Sequence, residues 1–276
     1  MKVEDFDMFS ALLKQRSGLV LSRDKAYLLE SRLMPVARKW NIKGLDELAT
    51  TIRTRRDEAL LRDITEAMTT NESSFFRDQK PFDQFRQVVL PALLQSRQAR
   101  KHIRIWSAAC SSGQEAYSLL MVLGDEAAKL HGWRVEIIGT DISGEMVEKA
   151  RAGLYSQFEV QRGLPITYLI KYFKQIGDKW QIDDKLRQMI SFREFNLLSD
   201  LSGLGQFDVI FCRNVLIYFD QPTKTQVLEN MVRLLPSDGI LYLGGAETVL
   251  GITDCFKPME NQRGLYVLNT AAAQRA

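Results

Sequence analysis

An acid, Asp141, closes the apolar run RVEIIGTD, and a loop of small residues, SAACSSG, follows the shorter run HIRIW. A carboxylate at a strand end can accept hydrogen bonds from both hydroxyls of a ribose, and small side chains let a ligand lie against the backbone. Asp141 or Ser143 could equally cap the helix that GEMVEKA begins. The loop holds a single glycine, Gly113. A dinucleotide fingerprint needs three, so NAD lacks its phosphate cradle here while an adenosine cofactor of another kind is still accommodated. A second stretch, TTNESSFFRD over 69–78, sets small polar residues beside two phenylalanines and an arginine. Thr, Asn and Ser favour caps and loops, whereas Phe75 and Phe76 do not suit a solvated loop. The two histidines, His102 and His131, lie in neither stretch. Cys110, Cys212 and Cys255 are far apart, with no CxxC pair, so neither a disulfide framework nor a metal site is expected.

These residues need elements to hold them. Residues 1–68 carry apolar side chains at helical spacing, as in Phe6, Phe9, Leu12 and Leu13 or Leu60, Leu61, Ile64 and Met68, and contain no convincing strand. From about residue 100, strand-like runs alternate with amphipathic helices: HIRIW, EAYSLLMVLGDEAAKL, RVEIIGTD, GEMVEKARAGLY, FDVIFC, QPTKTQVLENMVRLL, GILYLGG and GLYVLN. That alternation predicts a parallel sheet covered by helices, with ligands at the carboxyl ends of its strands. Residues 81–99 read as a linking helix with Pro81 at its start and Pro91 inside it or between two pieces.

The 276 residues are 45% hydrophobic and 26% charged with a formal net charge of +3, too balanced to argue for nucleic acid. No run reaches the ~18–20 apolar residues of a membrane span, and the start, MKVEDFDMF, lacks an apolar signal region, so a cytoplasmic protein without membrane insertion is expected.

TTNESSFFRD, WSAACSSGQEAYSLLM, GTDIS, FREFNLL and FDVIFCRNVLIYFD, in this order and at this spacing, resemble the CheR-type chemotaxis receptor methyltransferases over nearly the whole chain. The segment MVRLLPSDGILYLGG and the closing GLYVLN are similar to the corresponding parts of class I methyltransferases. The resemblance implies an α/β fold: a class I S-adenosylmethionine-dependent (Rossmann-like) methyltransferase domain over 81–276, an N-terminal all-α receptor-docking domain over 1–80, and a small β subdomain inserted at about 173–193. It implies a protein-glutamate O-methyltransferase that forms glutamyl methyl esters on chemoreceptors, with S-adenosylhomocysteine as co-product, and a monomer.

By the same resemblance, Asn71, Ser73, Arg77, Glu115, Asp141, Asn196, Leu197, Arg213 and Asn214 contact the cofactor, with Asp141 on the ribose and Asn196-Leu197 beside the adenine. Arg77 and Tyr218 are the implied catalytic pair, acting by positioning. Phe75 and Phe76 wall the pocket, at least one of them as interdomain core. A glutamate side chain, with an ordinary pKa near 4.3, is already ionised at neutral pH and needs no general base. Relatives that grip a receptor tail carry several glycines in the β-subdomain turn, where this chain has only Gly177, so docking independent of a tail tether is expected. Docking then falls to the basic excess between Arg32 and Arg62, above all Arg38, Arg53, Arg55 and Arg56. The alternatives are a class I methyltransferase acting on RNA or a small acid, and a module that binds S-adenosylmethionine without turnover. The first would call for a base-stacking motif, which is missing, and the second for loss of Arg77 or Tyr218.

Overall fold

A computed structural model describes residues 2–273. The chain divides into two compact units. The first comprises residues 1–70 together with Tyr218–Lys224; the second comprises Asn71–Ile217 and residues 225–276. The strip Asn71–Lys80, read in the sequence with the helical half, thus clusters with the second unit.

The first unit is helical. Helices α1 (Val3–Ser17), α2 (Ala26–Lys39), α3 (Leu45–Thr54) and α4 (Glu58–Met68) bury Phe9, Leu13, Leu29, Leu33, Leu48 and Ile64 in one core. Of the helical spacing read from the sequence, Phe6, Phe9 and Leu13 and Leu60, Leu61, Ile64 and Met68 are buried in this core, while Leu12 is partly buried against it. Asp57 caps α4 by accepting the N–H groups of Ala59 and Leu60. Arg32 reaches from α2 to the carbonyls of Met68 and Thr69, both at 2.9 Å, and so ties down the end of α4. The segment Tyr218–Lys224 is held in this unit by Val20 N–H on the Tyr218 carbonyl (2.9 Å) and by Lys14 on Asp220 (2.6 Å).

The second unit opens with α5 (Lys80–Gln84) and α6 (Leu90–Ser96), joined through a π-helical turn at Phe85–Val89. Pro91 has no N–H to give to the preceding turn, and the wider turn, closed by Leu90 N–H on the Phe85 carbonyl, carries the helix past it. The remaining helices that bear on the site are α7 (Gln114–Asp125), α8 (Gly144–Ala152), α9 (Gln157–Gln161) and α10 (Ile166–Tyr172).

Among the described residues ten strands occur in chain order: β1 (His102–Ala108), β2 (Arg134–Asp141), β3 (Leu154–Ser156), β4 (Phe173–Ile176), β5 (Lys179–Ile182), β6 (Ile190–Glu194), β7 (Val209–Cys212), β8 (Ile240–Leu243), β9 (Phe256–Pro258) and β10 (Leu265–Leu268). Seven form one sheet in the order β6-β2-β1-β7-β8-β10-β9, parallel up to β8 and antiparallel at β10 and β9. β7 is buried at all four residues, as a central parallel strand must be, which explains its unbroken apolar run. The strand order reverses between β1 and β7, where a doubly wound sheet opens its ligand crevice.

Within 173–193, read as a strand-turn-strand insert, β4 and β5 pair over 173–182 and join β3 in a separate three-stranded sheet. Two details differ from the sequence reading. Residues 190–194 leave the insert to become the edge strand β6 of the main sheet. The helix expected to run on through GEMVEKARAGLY stops at Ala152, because Gly153 turns left-handed (φ 58°) and feeds Leu154 into β3.

Candidate cofactor site

Three elements of the second unit converge at the carboxyl ends of the parallel strands. The loop after β1 turns sharply: Ala109 (φ 55°), Ser111 (φ 49°) and Gly113 (φ 89°) all adopt left-handed backbone. For a residue with a side chain that conformation costs roughly 1–2 kcal/mol, so the surroundings must hold it. They do. Ser111 N–H donates to Asp141 Oδ2 at 2.7 Å, and Ser111 Oγ donates to the Asn71 carbonyl at 2.8 Å. Asp141 Oδ1 takes Ser143 N–H at 2.9 Å. The N-cap of α8 is Ser143, whose Oγ accepts Met146 N–H. Asp141, the other capping candidate in the sequence, is instead a buried carboxylate fixed by two backbone donors. A carboxylate has about four acceptor positions, so this anchorage is compatible with receiving ribose hydroxyls. The Asp141 carbonyl accepts Phe195 N–H (2.8 Å), which brings Asn196 and the buried Leu197 to the end of β2. Asn196 Oδ1 accepts Leu198 N–H at 3.0 Å and turns the chain there.

A second set centres on Arg213, just past β7, with its side chain 2% exposed. Its Nη1 donates to Glu115 Oε2 (2.9 Å), and its Nη2 donates to Asp78 Oδ2 (2.7 Å) and to the Arg77 carbonyl (2.9 Å). Glu115 Oε1 in turn accepts Ser107 Oγ at 2.8 Å. Arg213 thereby fastens the strip 71–78 to β1 and α7. The strip bends through left-handed Phe76 (φ 49°), Asp78 (φ 66°) and Gln79 (φ 43°). Arg77, half-buried, donates to the Glu72 carbonyl at 3.1 Å, while the Glu72 carboxylate pairs with Arg162. Ser73 is half-buried in the same strip. Gly163 (φ 87°) lies so close that a Cβ there would stand 2.1 Å from the Phe75 carbonyl oxygen.

The two phenylalanines are core of the second unit. Phe75 makes edge contacts with Tyr155 (5.0 Å between centroids) and Phe173 (5.7 Å); Phe76 stacks on Tyr168 (5.2 Å) and meets Phe82 edge-on. These ring partners all lie within that unit, so the aromatic pair anchors the polar strip that holds Asn71, Ser73 and Arg77.

Sequence reasoning missed three residues. Asp78 is one acceptor of Arg213. Ser111 couples the loop to both Asp141 and the strip. Glu247 gathers four backbone donors: Asn214 N–H (2.8 Å) and Gly244 N–H (2.7 Å) on Oε2, Val215 N–H (2.9 Å) and Ile217 N–H (3.3 Å) on Oε1. It holds Asn214 in its left-handed turn (φ 60°). Asp78 had a signal, its place beside Arg77; Glu247 had only its place after a strand, in GGAE.

Tyr218 belongs to the helical unit, half-buried on the segment Tyr218–Lys224. Of the arginines read as a docking surface, Arg38, Arg55 and Arg56 are exposed and form no ion pair with the described residues. Arg53 is different: its Nη2 pairs at 2.7 Å with Asp5, whose side chain is 4% exposed.

The site residues suit S-adenosylmethionine. Arg213 Nε is a buried donor with no acceptor among the described residues, a state costing about 1–3 kcal/mol unless a ligand oxygen fills it. Asp141 presents a fixed carboxylate, and the 109–113 loop is of small side chains. Among the described residues no histidine stands at the carboxyl ends of the strands. His102 is the first residue of β1, beside Glu136, and His131 is exposed before β2. Burial, with the Asp141 and Glu115 carboxylates adding to it, pushes the Cys110 thiol well above its usual range; burial and Glu247 do the same to Cys212. A cavity of about 410 Å³ at the β9–β10 turn is lined by Lys80, Met259, Arg263 and Tyr266 among others, and by none of the expected site residues.

Residues 71–265 match the family model described as the CheR methyltransferase SAM-binding domain, and residues 4–69 match that of the CheR methyltransferase all-alpha domain. The chain belongs to the CheR methyltransferase family. It carries that family's S-adenosylmethionine-binding domain, and its fold is the α/β methyltransferase fold with a helical N-terminal domain. It is 40% identical over 266 residues to chemotaxis protein methyltransferase 1 of Pseudomonas aeruginosa, covering 95% of this chain and 96% of that one. It is 37% identical over 265 residues to chemotaxis protein methyltransferase 1 of Vibrio cholerae serotype O1, covering 95% of each. Among solved structures, magnesium protoporphyrin IX methyltransferase from Synechocystis PCC 6803 covers 71% of this chain and 74% of its own, at 18% identity and a TM-score of 0.34, too low to carry an argument. Among the described residues no helix is long and apolar enough to cross a membrane, and no cluster of side chains could hold a metal ion.

Proposed function

We propose that this CheR-family chain methylates glutamate side chains of chemoreceptors in the cytoplasm, forming methyl esters that serve adaptation in chemotaxis. The observation that carries the reading is the match of residues 4–69 and 71–265 to the two CheR methyltransferase domains. A glutamate side chain with an ordinary pKa near 4.3 arrives already ionised at neutral pH and needs no general base. The homologues named as chemotaxis protein methyltransferases support the choice of substrate.

S-Adenosylmethionine, when bound, supplies a methyl group on a sulfonium. The residues that hold it in this reading are Asn71, Ser73, Arg77, Glu115, Asp141, Asn196, Leu197, Arg213 and Asn214, with Asp141 on the ribose. Arg77 and Tyr218 orient the incoming carboxylate. A guanidinium on that carboxylate stabilises the charged ground state more than the neutralised transition state, so the role of Arg77 is capture and alignment. Dry surroundings favour the reaction, since opposite charges cancel as the bond forms.

The helical unit docks the receptor through Arg38, Arg55 and Arg56, which are exposed and form no ion pair among the described residues. The pairing of Arg53 with buried Asp5 commits that residue to the fold. Docking proceeds without a tail tether, as the single glycine of the β4–β5 turn, Gly177, supports.

The test is incubation of the protein with methyl-labelled S-adenosylmethionine and receptor-bearing membranes. Base-labile label in the receptor band is expected, at equal rates for full-length receptor and receptor without its C-terminal tail. Base-stable label, or label on RNA or a small acid, sinks the ester reading; loss of labelling with the tail sinks the untethered one.

A further inference from the structure

Tyr155 sits on β3 of the small sheet and is 0% exposed. Its hydroxyl donates to the Ser112 carbonyl at 2.7 Å. Ser112 lies between left-handed Ser111 and left-handed Gly113, within the 109–113 loop. The ring of Tyr155 packs edge-on against Phe75, from the strip that carries Asn71 and Arg77, and against Phe173 of β4 at 6.4 Å. On its backbone Tyr155 pairs with Trp180 of β5. One side chain therefore touches the loop, the strip and the small sheet. Of the loop's other fastenings, Ser111 to Asp141 and to Asn71 act on the preceding residue, Cys110 N–H donates to the Thr140 carbonyl at 2.9 Å, and Gly113 N–H donates to the Cys110 carbonyl at 2.9 Å. Burial pushes the phenol well above its usual range, so it is a permanent donor near neutral pH.

We propose that Tyr155 is a positioning residue for the loop Ala109–Gly113, and that through it the three-stranded sheet sets how well that loop receives S-adenosylmethionine. The inference rests on the reading that this loop and Asp141 hold the cofactor. A backbone turn of this strained shape is kept only while its carbonyls and N–H groups have fixed partners. Removing the phenol frees the Ser112 carbonyl to rotate and leaves the ring packing in place. The consequence falls on cofactor affinity and spares the chemical step. By linkage, cofactor binding must in turn stiffen the small sheet.

Tyr117 provides a matched comparison. It is equally buried, and its hydroxyl donates at 2.7 Å to the Ala150 carbonyl of α8 rather than to a carbonyl of the loop. The experiment measures S-adenosylhomocysteine binding by calorimetry, methylation kinetics and thermal unfolding for Tyr155→Phe, Tyr117→Phe and Asp141→Ala in the full chain. Loss of one hydrogen bond predicts that Tyr155→Phe raises the Kd and the KM for cofactor about fivefold, with kcat within about twofold of the parent. Tyr117→Phe should lower the Tm comparably and leave the Kd unchanged. An unchanged Kd in Tyr155→Phe beside a weakened Asp141→Ala overturns the inference alone. Equal weakening in both tyrosine variants also overturns it, because packing then explains the effect. An unchanged Kd in Asp141→Ala overturns the site reading and the inference with it. If Tyr155→Phe does not fold, hydrogen exchange of the parent decides: S-adenosylhomocysteine must slow exchange at Tyr155 and Trp180, and unaltered rates there overturn the proposal.

Discussion

Arginine serves two different ends in the two units of this chain. In the sheet unit, Arg213 is buried and spends its Nη donors on Glu115, Asp78 and the Arg77 carbonyl, so it fixes geometry. In the helical unit, Arg38, Arg55 and Arg56 stand in solvent without ion pairs among the described residues, so they offer only charge. The physical contrast is dielectric and screening. A buried, hydrogen-bonded ion acts at short range and is little affected by salt, whereas an exposed charge acts over a Debye length that falls from ~10 Å at 0.1 M to ~3 Å at 1 M salt. One unit is therefore suited to holding a small ligand in one pose, and the other to steering a large partner.

The largest effect should come from the buried side. Asp141→Ala removes the acceptor of two backbone donors, Ser111 N–H and Ser143 N–H, as well as the proposed ribose contact. Cofactor binding should weaken by about 1–3 kcal/mol, independently of salt, as calorimetry on the folded variant would read. Unchanged affinity would make Asp141 a loop anchor only and erase half of the contrast.

Next in size is Arg53, the residue that looks as though it belongs to the exposed set and does not. Arg53→Ala strands the Asp5 carboxylate, whose side chain is 4% exposed. Stability of the helical unit should fall by about 1–3 kcal/mol, the cost of a buried acceptor left unpaired. Arg55→Glu and Arg56→Glu should leave stability within about 0.5 kcal/mol, yet raise the KM for receptor in a way that vanishes at high salt. Denaturant melts paired with methylation assays across a salt series separate the two behaviours. If Arg53→Ala were silent in the melt and active in the salt series, it would rejoin the docking set.

The smallest effect concerns how the segment Tyr218–Lys224 is attached. Asp220, bonded by Lys14 and by Thr223, has its carboxyl lowered to about 2 from an ordinary 3.8. A depressed carboxylate stabilises the folded form above the ordinary value, and the contribution is lost as pH falls through about 2. Lys14→Ala should raise the Asp220 titration midpoint seen by NMR and bring that loss to higher pH, with attenuation by salt because the pair is exposed. A midpoint that does not move would mean that Thr223 alone sets it.

Much of this architecture was legible in residue order. Alternating strand and helix patterns from about residue 100, the buried run of β7 and the helical spacing before residue 68 are local signals, because periodicity records which face of an element meets the core. The small loop after β1 and the acid closing β2 were legible for the same reason: both sit at the ends of recognisable strands. The carboxylate nucleophile came from the family resemblance, and the absence of a histidine from those stretches agrees with it.

Only the folded chain decided what those residues touch. Asp141 meets an N–H from 30 residues away, Arg213 meets carboxylates 98 and 135 residues away, and Glu247 gathers backbone donors about 30 residues back along the chain. Such partners leave no trace in local composition, since a carboxylate that will anchor a loop and one that will cap a helix are the same residue type in the same place. The fates of Arg53 and Arg55 diverge for the same reason. Both are exposed arginines two positions apart, and only the packing of α1 against α3 supplies a buried acid to one of them.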